Sequence, residues 1–125
     1  MSDILPLVIA PLAGGVGAAL RFFVDGVVKS RSRIAFPLGT AIINLTGSFA
    51  LGLLVGFASG RDAAGLVTIV GVGLLGGYTT FSTASVETVR LAQEGRWRAA
   101  LFNGFGVLVA CVAAAFGGIA LGLFL

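Results

Sequence analysis

The chain has 125 residues, 58% of them hydrophobic and only 10% charged, with a formal net charge of +3. A soluble domain carries about 25% charged residues. This composition, with a mean hydropathy of +1.09, describes an integral membrane protein with little outside the bilayer. A single cysteine, Cys111, and no histidine exclude an intrachain disulfide and nearly exclude a His/Cys metal site. There is no carboxylate pair or activated nucleophile, so the chain is not read as an enzyme. Its basic charges lie in loops without the aromatic interleaving of a nucleic-acid binder. The first apolar run has no basic stretch before it, so no cleaved signal peptide is expected.

Charge-free windows over residues 4–20, 34–60, 63–86 and 99–125 mark four transmembrane helices in a single domain, over about residues 4–28, 37–59, 63–94 and 97–125; each is long enough to cross a bilayer. The first carries Gly14-Gly15 and Ala18-Ala19, two overlapping small-xxx-small pairs that let helices approach closely in lipid. Arg21 follows within helical reach of the membrane. It either snorkels to the interface or attracts anions at a water-filled vestibule. Lys29, Arg31 and Arg33 are assigned to the first loop, and Pro37 suits the first turn of the second helix. There Thr40, Asn44 and Ser48, spaced i, i+4, i+8, form one polar stripe. Gly52 and Gly56 follow as small packing positions. A primary amide near mid-membrane needs partners, so Asn44 either bonds another helix or lines a polar path.

The third segment is the unusual one. Gly76-Gly77-Tyr78-Thr79-Thr80-Phe81-Ser82-Thr83 sits within a run, residues 63–86, that has no charge. Two adjacent glycines cost about 1 kcal/mol each against Ala in a helix interior, and five hydroxyls crowd the positions that follow. Such backbone is tolerated at membrane depth only where protein or water surrounds it. A helix broken near residues 76–80 is expected, with freed carbonyl and amide ends that bind ions. A Gly/Thr-rich packing face is the plainer alternative. Beyond Ser85 the segment turns polar. Glu87, Arg90 and Glu94, at i, i+3 and i, i+4, are expected to pair their charges. Gly95 ends the helix, and Trp97 suits an interfacial anchor. The last segment holds Asn103 near its start, Cys111 near its middle, and Gly117, Gly118 and Gly122 as packing positions.

The acids Asp3, Asp25, Asp62, Glu87 and Glu94 fall near segment ends or in loops. A small proton-coupled cation or multidrug exporter would want an acid inside the membrane, and no charge-free window holds one. What remains is hydroxyls, an amide, Arg21 and Phe81, whose ring edge is partially positive. Together they suit a narrow path for a small anion, although spacing alone also allows Phe81 a core role.

These residues resemble the Fluc (CrcB) fluoride channels along the whole chain. The matching pieces are Gly14-Gly15 with Gly17-Ala18 and Arg21, then Pro37-Leu38-Gly39-Thr40 with Asn44 and Gly47, and above all Gly76 to Thr83 with Ser85 and Glu87. The resemblance implies an antiparallel, dual-topology dimer of four-helix chains in a prokaryotic cell membrane, with two pores that export fluoride passively and reduce its toxicity. It implies a structural, untransported Na+ at the dimer centre, held by the backbone carbonyls of Gly76 and Thr79. Asn44 corresponds to the pore amide, Phe81 to the first pore phenylalanine and Arg21 to the vestibule arginine. The hydroxyls of Thr80, Ser82, Thr83 and Ser85 join the path. Two positions depart from the pattern: Ala84 stands where a second Phe is usual, and Cys111 aligns with a Ser of the polar track.

Seven of the eight Lys and Arg residues fall on one side: Arg21, Lys29, Arg31, Arg33, Arg90, Arg96 and Arg98. Only Arg61 lies opposite. The positive-inside rule then places loops one and three in the cytoplasm. A dual-topology protein should show little bias, so the partner is either a second copy or an oppositely oriented homologous chain. A non-transporting subunit of such a pair is the alternative function.

Overall fold

The computed structural model describes residues 4–125; Asp3 lies outside them. The described chain is all helical: α1 (Ile4–Arg31), α2 (Leu38–Ala58), α3 (residues 64–78), α4 (Phe81–Gln93) and α5 (Trp97–Gly122). Four runs are long and apolar enough to cross a membrane, with α3 and α4 sharing the third. Wide π-type turns occur over Val67–Leu75 in α3 and Phe102–Gly106 in α5. Few apolar residues are buried: Ala10, Ala41, Ile43, Leu91 and Ala100. Leu12, Phe22, Val72, Phe105 and Phe116 face outward. That distribution suits a multi-pass membrane protein, whose outer surface meets lipid or another chain rather than water.

The bundle is built from two glycine seams. α1 packs along α3, and α2 along α5. A Cβ on Gly17 would run into the Leu74 carbonyl and lie 2.8 Å from the Tyr78 nitrogen; one on Gly77 would meet the Gly14 carbonyl. Between α2 and α5, a Cβ on Gly52 would meet the Ala115 carbonyl, and one on Gly118 the Phe49 carbonyl. Small residues let backbones touch where the hydrophobic effect offers no drive between helices. Only one of the two small pairs in α1 joins a seam: Gly14 and Ala18 are half-buried beside buried Gly17. Gly15 and Ala19 are exposed, with open space around a Cβ at Gly15.

α1 continues through Lys29 and Arg31, residues assigned above to the first loop. Lys29 Nζ lies 2.9 Å from Asp25 Oδ2, one turn back, which ties the charge to the helix. The pairing expected among Glu87, Arg90 and Glu94 does not form; Lys29–Asp25 is the ion pair within 4.0 Å among the described residues. Glu94 has already left the helical geometry (φ −79°, ψ 0°), and an exposed Arg90–Glu94 pair gains too little to hold long side chains in place; Glu87 is half-buried, and its Oε1 has no hydrogen-bond partner. Gly95, at φ +77°, makes the turn into α5. Beside it the Arg96 guanidinium donates to the Ala35 carbonyl. The Phe36 and Phe102 rings meet edge to face at 5.6 Å, so the first and third loops close together at one end. At the other end Arg61 lies 4.2 Å over the Phe57 ring and donates to the Leu125 carbonyl at 2.9 Å.

Candidate functional site

Between α3 and α4 the backbone leaves the helix for two residues. Thr79 (φ −80°, ψ 159°) and Thr80 (φ −149°, ψ 116°) are extended. Every helical donor and acceptor freed there needs a partner at membrane depth, and side chains from two other helices supply several. Thr80 N–H donates to Asn44 Oδ1 at 2.8 Å, and Asn44 Nδ2 donates to the Thr80 carbonyl at 2.9 Å. Arg21 Nε donates to the Gly77 carbonyl at 3.3 Å. Thr80 also caps α4: its Oγ1 accepts from Thr83 N–H at 3.2 Å and donates to Thr83 Oγ1 at 3.1 Å. An N-cap hydroxyl satisfies one of the orphan amides of a helix start.

This redistribution takes the usual donors from two carbonyls. In a continuous helix Gly76 would accept from Thr80 N–H and Thr79 from Thr83 N–H. Those amides are turned to Asn44 and to Thr80 Oγ1 instead. Among the described residues no cluster of three His, Cys, Asp or Glu side chains is present. The donors offered to a cation are backbone oxygens, hard ligands suited to a hard ion.

The residues singled out from the sequence fall into two spaces that meet at Thr80. An open groove of about 590 Å³ is lined by Asn44, Gly76, Thr79, Thr80, Phe81, Ser85 and Cys111, and no charged side chain lines it. Phe81 is 84% exposed and Cys111 half-buried. Ala84 lines the same groove. A smaller cavity of about 200 Å³ on the α1 side is lined by Arg21, Asp25, Thr40, Thr80 and Thr83. Ser82 lines neither; its exposed hydroxyl sits 3.3 Å from Thr80 Oγ1.

Asn103 was given no role from the sequence, yet it lines the groove. Asn103 is 4% exposed; its Nδ2 donates to Thr88 Oγ1 at 2.8 Å and to the Ala84 carbonyl at 3.3 Å. The signal was available: an amide in an apolar segment, the same signal that marked Asn44. It was noted only for its place near the segment's start, and α5 carries it into the groove.

Comparison with known proteins gives one concordant result. The family profile described as CrcB-like protein, Camphor Resistance (CrcB), matches residues 8–119. The chain is 49% identical, over 98% of its length and 89% of the relative's, to fluoride-specific ion channel FluC 1 of Leifsonia xyli subsp. xyli. It is 51% identical over 74% of its length and 73% of the relative's to fluoride-specific ion channel FluC 2 of Mycolicibacterium paratuberculosis. It is 44% identical over 89% of its length and 92% of the relative's to FluC 2 of Cutibacterium acnes.

Proposed function

The chain belongs to the CrcB family, and from that premise we propose that it forms a fluoride-selective channel that lets the ion leave the cell down its gradient. The protein is not an enzyme; its relatives are named as ion channels. The observation that carries the proposal is the groove. It is lined by hydroxyl, amide and phenyl side chains, and by no charged one. A proton-coupled cation exporter would need an acid there. Asn44 keeps one N–H after bonding Thr80, since a primary amide has two donors. That N–H and the Phe81 ring edge are the groups we assign to fluoride; the Ser85 hydroxyl donates to the Phe81 carbonyl at 2.9 Å and would have to turn from it to reach the ion. Arg21 draws the anion to the smaller cavity.

The assembly we propose is an antiparallel dimer in the cytoplasmic membrane. The released carbonyls of Gly76 and Thr79, doubled by a twofold axis, would give four oxygens for a structural Na+. The ion would neutralise carbonyl dipoles that lipid cannot solvate. The partner is a second copy or an oppositely oriented homologue. The second choice is favoured by the gathering of Lys29, Arg31, Arg33, Arg90, Arg96 and Arg98 at one end, with Arg61 alone at the other, and by Ala84 in the groove. In such a pair this chain's own pore need not conduct. Liposomes containing the active assembly should show electrogenic fluoride efflux with chloride nearly excluded. Equal chloride flux, or strict proton coupling, would overturn the proposal.

A further inference from the structure

We propose that Asn44 is a positioning residue for the cation site: it holds Thr80 out of the helix and so keeps the Gly76 and Thr79 carbonyls free. The proposal rests on the reading of Na+ at those carbonyls. Its starting point is that both polar atoms of one side chain are bound to the backbone of one residue. Asn44 Oδ1 accepts from Thr80 N–H and Asn44 Nδ2 donates to the Thr80 carbonyl, at 2.8 and 2.9 Å. Only one orientation of the amide satisfies both. A side-chain amide has the same donor and acceptor as a peptide group, so Asn44 stands in for the neighbouring strand that extended backbone would otherwise need.

The alternative for Thr80 N–H is the Gly76 carbonyl, four residues back. If Asn44 released it, the helix could close through residues 79 and 80. Gly76 would then lose its free lone pairs to Thr80, and Thr79 would lose its own to Thr83. Asn44 and a cation therefore favour the same open backbone, and their effects are thermodynamically linked. Two features make Asn44 suited to the task. Gly47, one turn on, has no side chain; a Cβ there would strike the Thr79 methyl and lie 3.3 Å from the Tyr78 ring. α2 can thus lie against the interruption. From the opposite side Arg21 takes the Gly77 carbonyl, which would otherwise draw Phe81 N–H back into the helix.

The test is a Na+ titration of the thermal unfolding midpoint of the purified full-length protein, alongside fluoride efflux. Asn44→Leu removes both hydrogen bonds at similar volume; Asn44→Asp keeps the acceptor for Thr80 N–H and loses the donor. The Na+ concentration giving half of the stabilisation should rise about 10- to 100-fold in Asn44→Leu, the usual effect of losing a supporting contact behind a metal ligand. It should rise less in Asn44→Asp. A variant that unfolds in low Na+ and is rescued by molar Na+ also supports the proposal; unfolding that molar Na+ does not reverse counts against it. If the wild type responds to Na+ and both variants keep its half-point while losing efflux, Asn44 contacts only the anion and the proposal fails. If the wild type itself does not respond to Na+, the cation reading fails first.

Discussion

Gly17→Ala and Gly15→Ala form a matched pair of perturbations two residues apart in α1. Both replace Gly by Ala in a helix interior, a gain of about 1 kcal/mol from propensity alone. At Gly15 nothing lies within 4 Å of the added methyl, so that gain should survive. At Gly17 the methyl meets the Leu74 carbonyl and sits 2.8 Å from the Tyr78 nitrogen and 3.0 Å from the Leu74 carbonyl carbon. All three are backbone atoms of α3, and no rotamer change relieves them. Overpacking of this kind costs about 1–3 kcal/mol; the propensity gain is common to both, so the two variants should differ by about 1–3 kcal/mol. That corresponds to roughly 5- to 150-fold in the folding equilibrium. Denaturant unfolding of the purified protein in detergent micelles reads the difference directly. Gly17→Ala as stable as Gly15→Ala, within about 0.5 kcal/mol, would refute the backbone-on-backbone seam between α1 and α3.

Cys111 lines the groove, so a small thiol reagent should block fluoride efflux where this chain's pore conducts, and Cys111→Ser should conduct without being blocked. Efflux from the labelled wild type at the unlabelled rate would remove Cys111 from the path. Thr80→Val deletes the N-cap of α4 and should destabilise the protein by about 1 kcal/mol; an unchanged denaturant midpoint would contradict the cap. Expressed alone in cells, the chain with a cysteine-tagged terminus should be labelled from one side only. Labelling from both sides, together with fluoride efflux by the purified protein, would reject a fixed-orientation subunit.

The spans were legible because charge is so scarce that its gaps delimit them. Asn44 was legible because an amide in an apolar window must find a partner. Which partner was not: both atoms meet Thr80, thirty-six residues on, and no local pattern encodes that pairing. Helix rotation was equally hidden. Gly14, Gly15 and Gly17 are the same residue to a composition argument, yet α3 buries Gly17 and leaves Gly15 outside. The phase of a lipid-exposed helix is set by its neighbours, because its outward face is as apolar as its inward one. The same limit explains Asn103, which was given no role from its position while the packing of α5 on α4 put it in the groove. It also explains Glu87, Arg90 and Glu94, whose spacing allowed pairing that the geometry does not hold.

The glycine seams have a mechanical consequence. Where backbone rests on backbone, as at Gly17 on Leu74 and Gly52 on Ala115, no side chain can change rotamer to absorb a displacement. Each pair, α1 with α3 and α2 with α5, therefore behaves as a stiff plank. Compliance is left to the longer side chains between the planks, Leu51, Leu75 and Leu108, which line the groove. Strain applied to the bundle should widen or narrow the groove before it bends either of its walls.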